Sequence, residues 1–359
     1  MSNVEDLRYA FIVEWFDPQA SLLKKYNLLF WPESNTIEMF DLKNHRTFLK
    51  RCLYPSIKLD NLFVGGCVSV YSRQLKIIDF ADAFTRGQLK ERLARTACMI
   101  VPDRQSQLGH ILDSLLSSTF SISRLLTVSL SPSQAGSILP EGESHWTVDK
   151  IANRIGTVIE LIAPNAVQAL VQLAGSDPNI KGSLLVASSA IHYQQFMNVI
   201  FDHVLPSTAV FSDCTIAVIK PHAVRQGISG KIIKMIQDRG FQITAAELFY
   251  LNRPSAEEFL EVYKTVIPQY SALVDNFTSG ASIVLQIHGG EKIVREFRQV
   301  AGPHDPEIGK HVRSDTIRAI FGSDRVNNAI HATDLDEDGV LESEYFFKVL
   351  QDVKPAIHV

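Results

Sequence analysis

The chain has 359 residues, 46% of them hydrophobic and 21% charged, with a formal net charge of −4. That composition excludes an intrinsically disordered polymer. The slight negative charge excludes an electrostatic pull toward nucleic acid or an anionic membrane. The length gives room for two or three domains. Cys52, Cys67, Cys98 and Cys214 are scattered and form no CxxC pair, which argues against a zinc knuckle or a disulfide framework and suits a reducing compartment. The start, Met1-Ser-Asn-Val-Glu-Asp6, is acidic and polar, unlike a signal peptide. No run approaches the roughly 20 apolar residues that span a bilayer. An intracellular, soluble protein is expected.

Residues 9–16, 22–31, 36–40, 64–71 and 75–80 are strand-like runs, rich in β-branched and aromatic side chains. Turn signals separate them: Asp17-Pro18, Pro32-Glu-Ser-Asn35 and Gly65-Gly66. Residues 1–92 therefore predict a small antiparallel sheet or barrel. The basic run from Lys43 to Arg51 reads as a solvated strand edge, with contact to an acidic partner as the alternative. Residues 82–95 are charged and helix-compatible, a connector.

From Ala94 the texture changes to alternating strands and helices. A strand is predicted over 96–101, a helix over 108–116, extended chain over 120–130 and a helix over 131–138. The cadence restarts at Cys214, with strands over 215–219, 241–251 and 283–287. Helices are predicted over 228–238, 255–263, 291–299 and 343–349. Local landmarks repeat. Ile100-Val101-Pro102-Asp103 mirrors Ile219-Lys220-Pro221-His222, and Phe120-Ser-Ile-Ser123 mirrors Phe241-Gln-Ile-Thr244, with spacings of 20 and 22 residues. We infer a tandem repeat of one α+β unit over 93–210 and 211–359.

The second repeat concentrates groups suited to a nucleoside triphosphate. Lys220 ends a strand, Arg298 ends a helix, Arg318 follows Thr316, and Asn328 precedes His331 by three. Cations gathered on one phosphate neutralise the oxygens of a transferring phosphoryl group. Arginine adds a directional fork. Histidine suits the nucleophile because imidazole is largely neutral near pH 7 and needs little activation.

The order and spacing of these residues resemble the nucleoside diphosphate kinase family. The matching pieces are Ile219-Lys-Pro-His-Ala-Val224, Gly227 through Lys231, Gly240-Phe241, Phe277-Thr-Ser-Gly280, Thr316-Ile-Arg-Ala-Ile-Phe321, Asn328-Ala-Ile-His331, and Glu342 with Phe346-Phe347. The resemblance implies a ferredoxin-like fold and a ping-pong reaction through phospho-His331. In it, Glu342 fixes the tautomer and Tyr263 sits beside the nucleophile. Lys220, Arg298 and Arg318 contact phosphates, and Asn328 with Lys220 contacts the sugar hydroxyls. Mg2+ would arrive with ATP or another NTP, held through nucleotide phosphates with few or no protein ligands. The family pattern is departed from at His222-Ala223, where Asp-Gly is usual. It is departed from again at Gln269, the base-stacking position, at His304, a phosphate-loop threonine position, and at Ala332-Thr333.

The first repeat has Val101 at the lysine position and no histidine over 184–189. It resembles a degenerate kinase domain, and His192 is read as part of a final helix. Lys43-Asn-His-Arg-Thr-Phe-Leu-Lys50, Ser72-Arg-Gln-Leu75, Asp305-Pro-Glu-Ile308 and Glu337-Asp-Gly-Val-Leu-Glu342 extend the likeness to the whole layout. It resembles a family branch in which a pleckstrin-like domain of ciliary doublet-microtubule proteins precedes two kinase repeats. That resemblance implies a cytoplasmic, cytoskeletal protein of the axoneme of a cilium or flagellum, or of the centrosome or basal body. It implies NTP, NDP, tubulin and other axonemal proteins, and the γ-tubulin complex, as partners. The alternative it carries is a structural microtubule inner protein with a vestigial kinase site. Two decoys fail. Asp334-Leu-Asp-Glu-Asp-Gly339 begins like a calcium loop, but its twelfth position is Tyr345. Gly227-Ile-Ser-Gly230-Lys231 has the wrong glycine spacing for a phosphate loop, and Ile232 follows the lysine.

Overall fold

The computed structural model describes residues 7–17, 19–140 and 146–353; the readings of residues 1–6 and of Pro18 lie outside them. Six strands open the chain: β1 (Tyr9–Asp17), β2 (Leu22–Trp31), β3 (Thr36–Asp41), β4 (Arg46–Leu53), β5 (Cys67–Val70) and β6 (Arg73–Phe80). They form one antiparallel sheet in the order β4-β3-β2-β1-β6-β5. Alternation explains it. Phe11 and Val13 of β1, Tyr26, Leu28 and Phe30 of β2, and Ile37 and Met39 of β3 all point to one buried core, as period-2 patterning requires. The Ala83–Lys90 helix adds Leu89 to that core. It starts at Asp82, whose side chain caps Thr85 N–H at 2.7 Å.

One strand is shorter than the sequence reading, and one expected edge is present. The strand expected over 64–71 shrinks to Cys67–Val70 because Gly65 turns left-handed, with φ 90°. The run from Lys43 to Arg51 supplies β4, an edge strand with six of its eight residues exposed. β4 and β5 end the sheet order, so hydrogen bonds do not close a barrel.

The remaining strands are β7 (Ala94–Ile100), β8 (Ser121–Ser129), β9 (Ile155–Ala163), β10 (Leu184–Val186), β11 (Cys214–Ile219), β12 (Gln242–Phe249), β13 (Ser282–His288) and β14 (Ile330–Ala332). They join into one eight-stranded sheet, β10-β7-β9-β8-β12-β13-β11-β14. The left half numbers its own strands 4-1-3-2 and the right half 2-3-1-4, so each half has the antiparallel ferredoxin-like order and the two are related by a pseudo-two-fold. The halves meet where Leu126 of β8 pairs with Glu247 of β12. Above that seam the Leu108–Ser117 and Ser229–Asp238 helices cross. A single apolar core runs under both, from Ile100 and Ile111 to Ile233 and Leu285.

The N-terminal sheet is tied to both halves. Ser69 Oγ donates to Thr278 O at 3.0 Å, and Gln74 Nε2 donates to Leu251 O at 2.8 Å. Arg95 donates both to Val64 O and to Glu160. Glu160 is 1% exposed, on a central strand. Burial pushes its carboxyl up. Arg95 and Arg124, with hydrogen bonds from Ser123 and Tyr193, outweigh that and hold it ionised.

Candidate active site

β11 ends at Ile219, and the next residue, Lys220, is the N-cap of the Pro221–Arg225 helix. Proline at the first helical position forces the chain to turn there, and the lysine side chain is left at the sheet's end. It is 2% exposed. Its Nζ donates to Asn328 Oδ1 at 2.7 Å and to Val326 O at 2.9 Å, over the Phe277 ring. Burial, with repulsion from Arg318, brings the ammonium down to about 7. Arg318, in the Ile317–Phe321 helix, donates to Ile330 O at 3.2 Å and Gly302 O at 2.9 Å. Burial lowers it to about 10, so it stays a cation at neutral pH.

His331 stands in the middle of β14, paired with Val218 of β11. It is 7% exposed. Its Nε2 lies 3.1 Å from Glu342 Oε2, on the Asp338–Glu344 helix. Its Nδ1 has no hydrogen-bond partner among the described residues. The ring packs edge-on to Phe259 at 4.9 Å and Tyr263 at 6.3 Å. A neutral imidazole hydrogen-bonded to a carboxylate through Nε2–H keeps a lone pair on Nδ1. That is the electronic state of a nitrogen nucleophile.

The other expected residues surround it unevenly. Arg298 lies in the last turn of the Ile293–Ala301 helix and reaches Asp334, through the backbone oxygen and through Oδ1 at 3.5 Å. Asn328 donates to His304 O at 2.9 Å. Gln269 and His304 line a cleft of about 330 Å3, with Val266, Pro303, Ile308 and Arg325. Arg325 Nε pairs with Asp305 at 2.8 Å on its wall.

Two family models match the chain: the nucleoside diphosphate kinase 7 N-terminal PH domain over residues 3–91 and nucleoside diphosphate kinase over 213–351. The nucleoside diphosphate kinase homolog 7 of Mus musculus is 38% identical over 372 residues, covering 96% of this chain and 94% of the mouse protein. The same protein of Rattus norvegicus matches to the same extent. The chain belongs to the nucleoside diphosphate kinase homolog 7 family. The nucleoside diphosphate kinase of Lawsonia intracellularis is 36% identical over 140 residues, 39% of this chain and 98% of that one. Among the described residues, only the C-terminal repeat carries the residues described above. In the first repeat Leu185 faces Met99, two residues before Val101. In the second, His331 faces Val218, two residues before Lys220. The place of His331 is thus taken by leucine and that of Lys220 by valine. His192 lies in the Ala190–Phe196 helix, 3.2 Å from Ser188 N and 2.7 Å from Ile138 O, a buried histidine with both nitrogens engaged.

The contacts of three residues escaped the sequence reading. Thr333 Oγ1 donates to Glu342 Oε2 at 2.8 Å and accepts from Ile216 N–H at 3.3 Å, so it steers the carboxylate. Asp334 accepts from the Tyr263 hydroxyl at 2.5 Å and holds Arg298. Burial and this bond raise the Tyr263 hydroxyl well above its ordinary range, so it stays protonated. His222 sits against the loop that precedes His331, 9% exposed. Thr333 had one available signal: it is two residues beyond His331.

His222 gives the fold an acid limit. Burial, with Lys220 and Arg225 adding repulsion, pushes its imidazole down to about 4. In an unfolded chain it titrates near 6.5 (roughly the free value). Between those values the unfolded state binds the extra proton, so stability falls as pH falls. His222→Asn is expected to flatten the melting midpoint measured from pH 7 to 5, removing a drop of at most about 2 kcal/mol. Parallel profiles for the two proteins would refute it.

Proposed function

We propose that residues 211–359 transfer the γ-phosphate of a nucleoside triphosphate to a nucleoside diphosphate through phospho-His331. The observation that carries this reading is the His331–Glu342 pair at 3.1 Å, with Nδ1 left unpartnered. Nδ1 attacks the γ-phosphorus, the bond to the β-phosphate oxygen breaks, and the diphosphate leaves. A second diphosphate's terminal oxygen then takes the phosphoryl group from Nδ1. Glu342 stabilises the positive ring that phosphorylation creates. Lys220 and Arg318 face the phosphoryl oxygens, and Arg298 swings from Asp334 onto the chain of phosphates. Asn328 orients the sugar, and Gln269 and His304 border the nucleotide. Among the described residues no three His, Cys, Asp or Glu side chains cluster as metal ligands. The polar groups of the site, Lys220, Arg318 and Asn328, fit the phosphates of a magnesium nucleotide better than the bare ion. When bound, Mg2+ supplies charge neutralisation to those phosphates. The test is acid-labile label from γ-labelled ATP on His331.

Residues 93–210 then serve as a degenerate kinase domain, a packing partner with no chemistry of its own. For residues 1–92 we propose an anchoring role on acidic polymer surfaces such as the doublet microtubule of an axoneme. Exposed β4 supports this: Lys43, Arg46 and Lys50 lie on or beside an open edge with no acidic residue between them. Co-pelleting with doublet microtubules is expected to fail once residues 1–92 are deleted. Undiminished pelleting of the truncated chain would leave a cytoskeletal role without this anchor.

A further inference from the structure

The residue two before the nucleophile is in an uncommon conformation. Ala329 has φ 69°, and Ile330 N–H donates to Asn328 O at 2.9 Å. The chain therefore makes a γ-turn centred on Ala329, a rare and strained choice for a residue with a Cβ. Such a turn persists only where its surroundings over-determine it.

Both peptide groups of Ala329 are held, and both by the start of the Pro221–Arg225 helix. Lys220 N–H donates to Ala329 O at 2.9 Å. Ala329 N–H donates to His222 Nε2 at 3.2 Å. The first bond is backbone to backbone and survives any side-chain change. The second depends on one side chain. With Nε2 accepting, the ring proton of a neutral His222 is on Nδ1, which packs 3.3 Å from the Asn276 side-chain amide. The side-chain pin on the turn is thus the single bond from Ala329 N–H to His222 Nε2.

Little lies between the pin and the reacting atom. One residue, Ile330, separates Ala329 from His331, and β14 is only three residues long. A strand that short cannot absorb a rotation of the Ala329 peptide before it reaches the imidazole. Lys220 and Asn328, by contrast, are locked to each other by their own 2.7 Å bond.

We propose that His222 is a positioning residue for phosphoryl transfer. It holds the Ala329 turn through Nε2 and so sets where His331 stands. The role rests on the kinase reading of His331, and it predicts a loss in the chemical step without a loss in nucleotide binding. A buried histidine that merely fills space would affect neither selectively.

The test compares full-length wild type, His222→Leu and His222→Asn. Leucine removes the acceptor; asparagine restores one. Single-turnover phosphorylation by labelled ATP is expected to slow about 100-fold in His222→Leu, the scale of a small misplacement of a reacting group. Affinity for a fluorescent ADP analogue stays within about 3-fold, since the contacts that bind phosphate are untouched. His222→Asn recovers most of the rate. In wild type labelled with 15N-imidazole, Nε2 of His222 should appear unprotonated at pH 7, with through-bond coupling to the Ala329 amide. A protonated Nε2 overturns the proposal even if His222→Leu fails to fold. So does a His222→Leu rate within 3-fold of wild type (a span within ordinary scatter), or a His222→Asn no faster than His222→Leu. A wild type that takes no label at His331 defeats the kinase reading and this role with it, whereas full labelling of His222→Leu defeats this role alone.

Discussion

His331→Ala is expected to take no label from γ-labelled ATP and to lose phosphoryl transfer by roughly 10⁴-fold or more, as removal of a covalent nucleophile does. Alanine deletes Nδ1 of His331, which has no hydrogen-bond partner among the described residues. It disturbs little else, because Lys220 is held by Asn328 and Val326 and Arg318 by Ile330 and Gly302. Nucleotide affinity should therefore survive. Glu342→Ala leaves the nucleophile but frees its tautomer and tilt, for a loss of about 10²-fold. In that variant Thr333 also loses its acceptor. The paired measurement is rate against affinity. A His331→Ala protein that still labels at the wild-type rate would place the phosphate elsewhere. One that loses nucleotide binding in parallel would mean that His331 holds the site's shape.

The largest effect on stability is expected at two glycines. Gly109 and Gly230 occupy matching places on the crossing Leu108–Ser117 and Ser229–Asp238 helices. A Cβ on Gly109 would lie 2.0 Å from Lys234 N, and one on Gly230 would lie 2.2 Å from Asp113 N. Both obstacles are backbone, so the helices themselves must separate. Overpacking of that kind costs about 3 kcal/mol or more, which lowers the melting midpoint of the two-repeat unit by roughly 6–12 °C. Gly87→Ala is the control. It also sits in a helix, Ala83–Lys90, but nothing lies within 4 Å of its Cβ. There alanine is expected to stabilise by about 0.5–1 kcal/mol. If Gly109→Ala or Gly230→Ala melted within 2 °C of wild type (roughly the shift of half a kcal/mol), the helix seam would be softer than its geometry says.

The repeat was legible because the landmarks are local. Lys220-Pro221 and Val101-Pro102 mark the same strand-to-helix corner in each half, and proline fixes such corners through its own ring. His331, Glu342 and Lys220 were legible as a set because their order matches a whole family domain. Their partners were not. Thr333, Asp334 and His222 act through atoms of residues up to 117 positions away, as in the Ile216–Thr333 bond, and no local period encodes such pairs. β4 was only half visible. Its charges, which suit an edge, mask the alternation that signals a strand. Gly109 and Gly230 fall within helices expected from the sequence, but only the fold shows what they touch.

The seam between β8 and β12 has a consequence for how the protein behaves on dilution. Two separate chains joined this way would part as their concentration fell. Here Ser129 and Gln242, the facing ends of those strands, belong to one polypeptide, so the local concentration of each half around the other is fixed by the linker. The pairing is independent of protein concentration, and each molecule is permanently lopsided, one half equipped and one half blank. An assembly that repeats this chain along a lattice therefore presents one His331 per repeat, always on the same side.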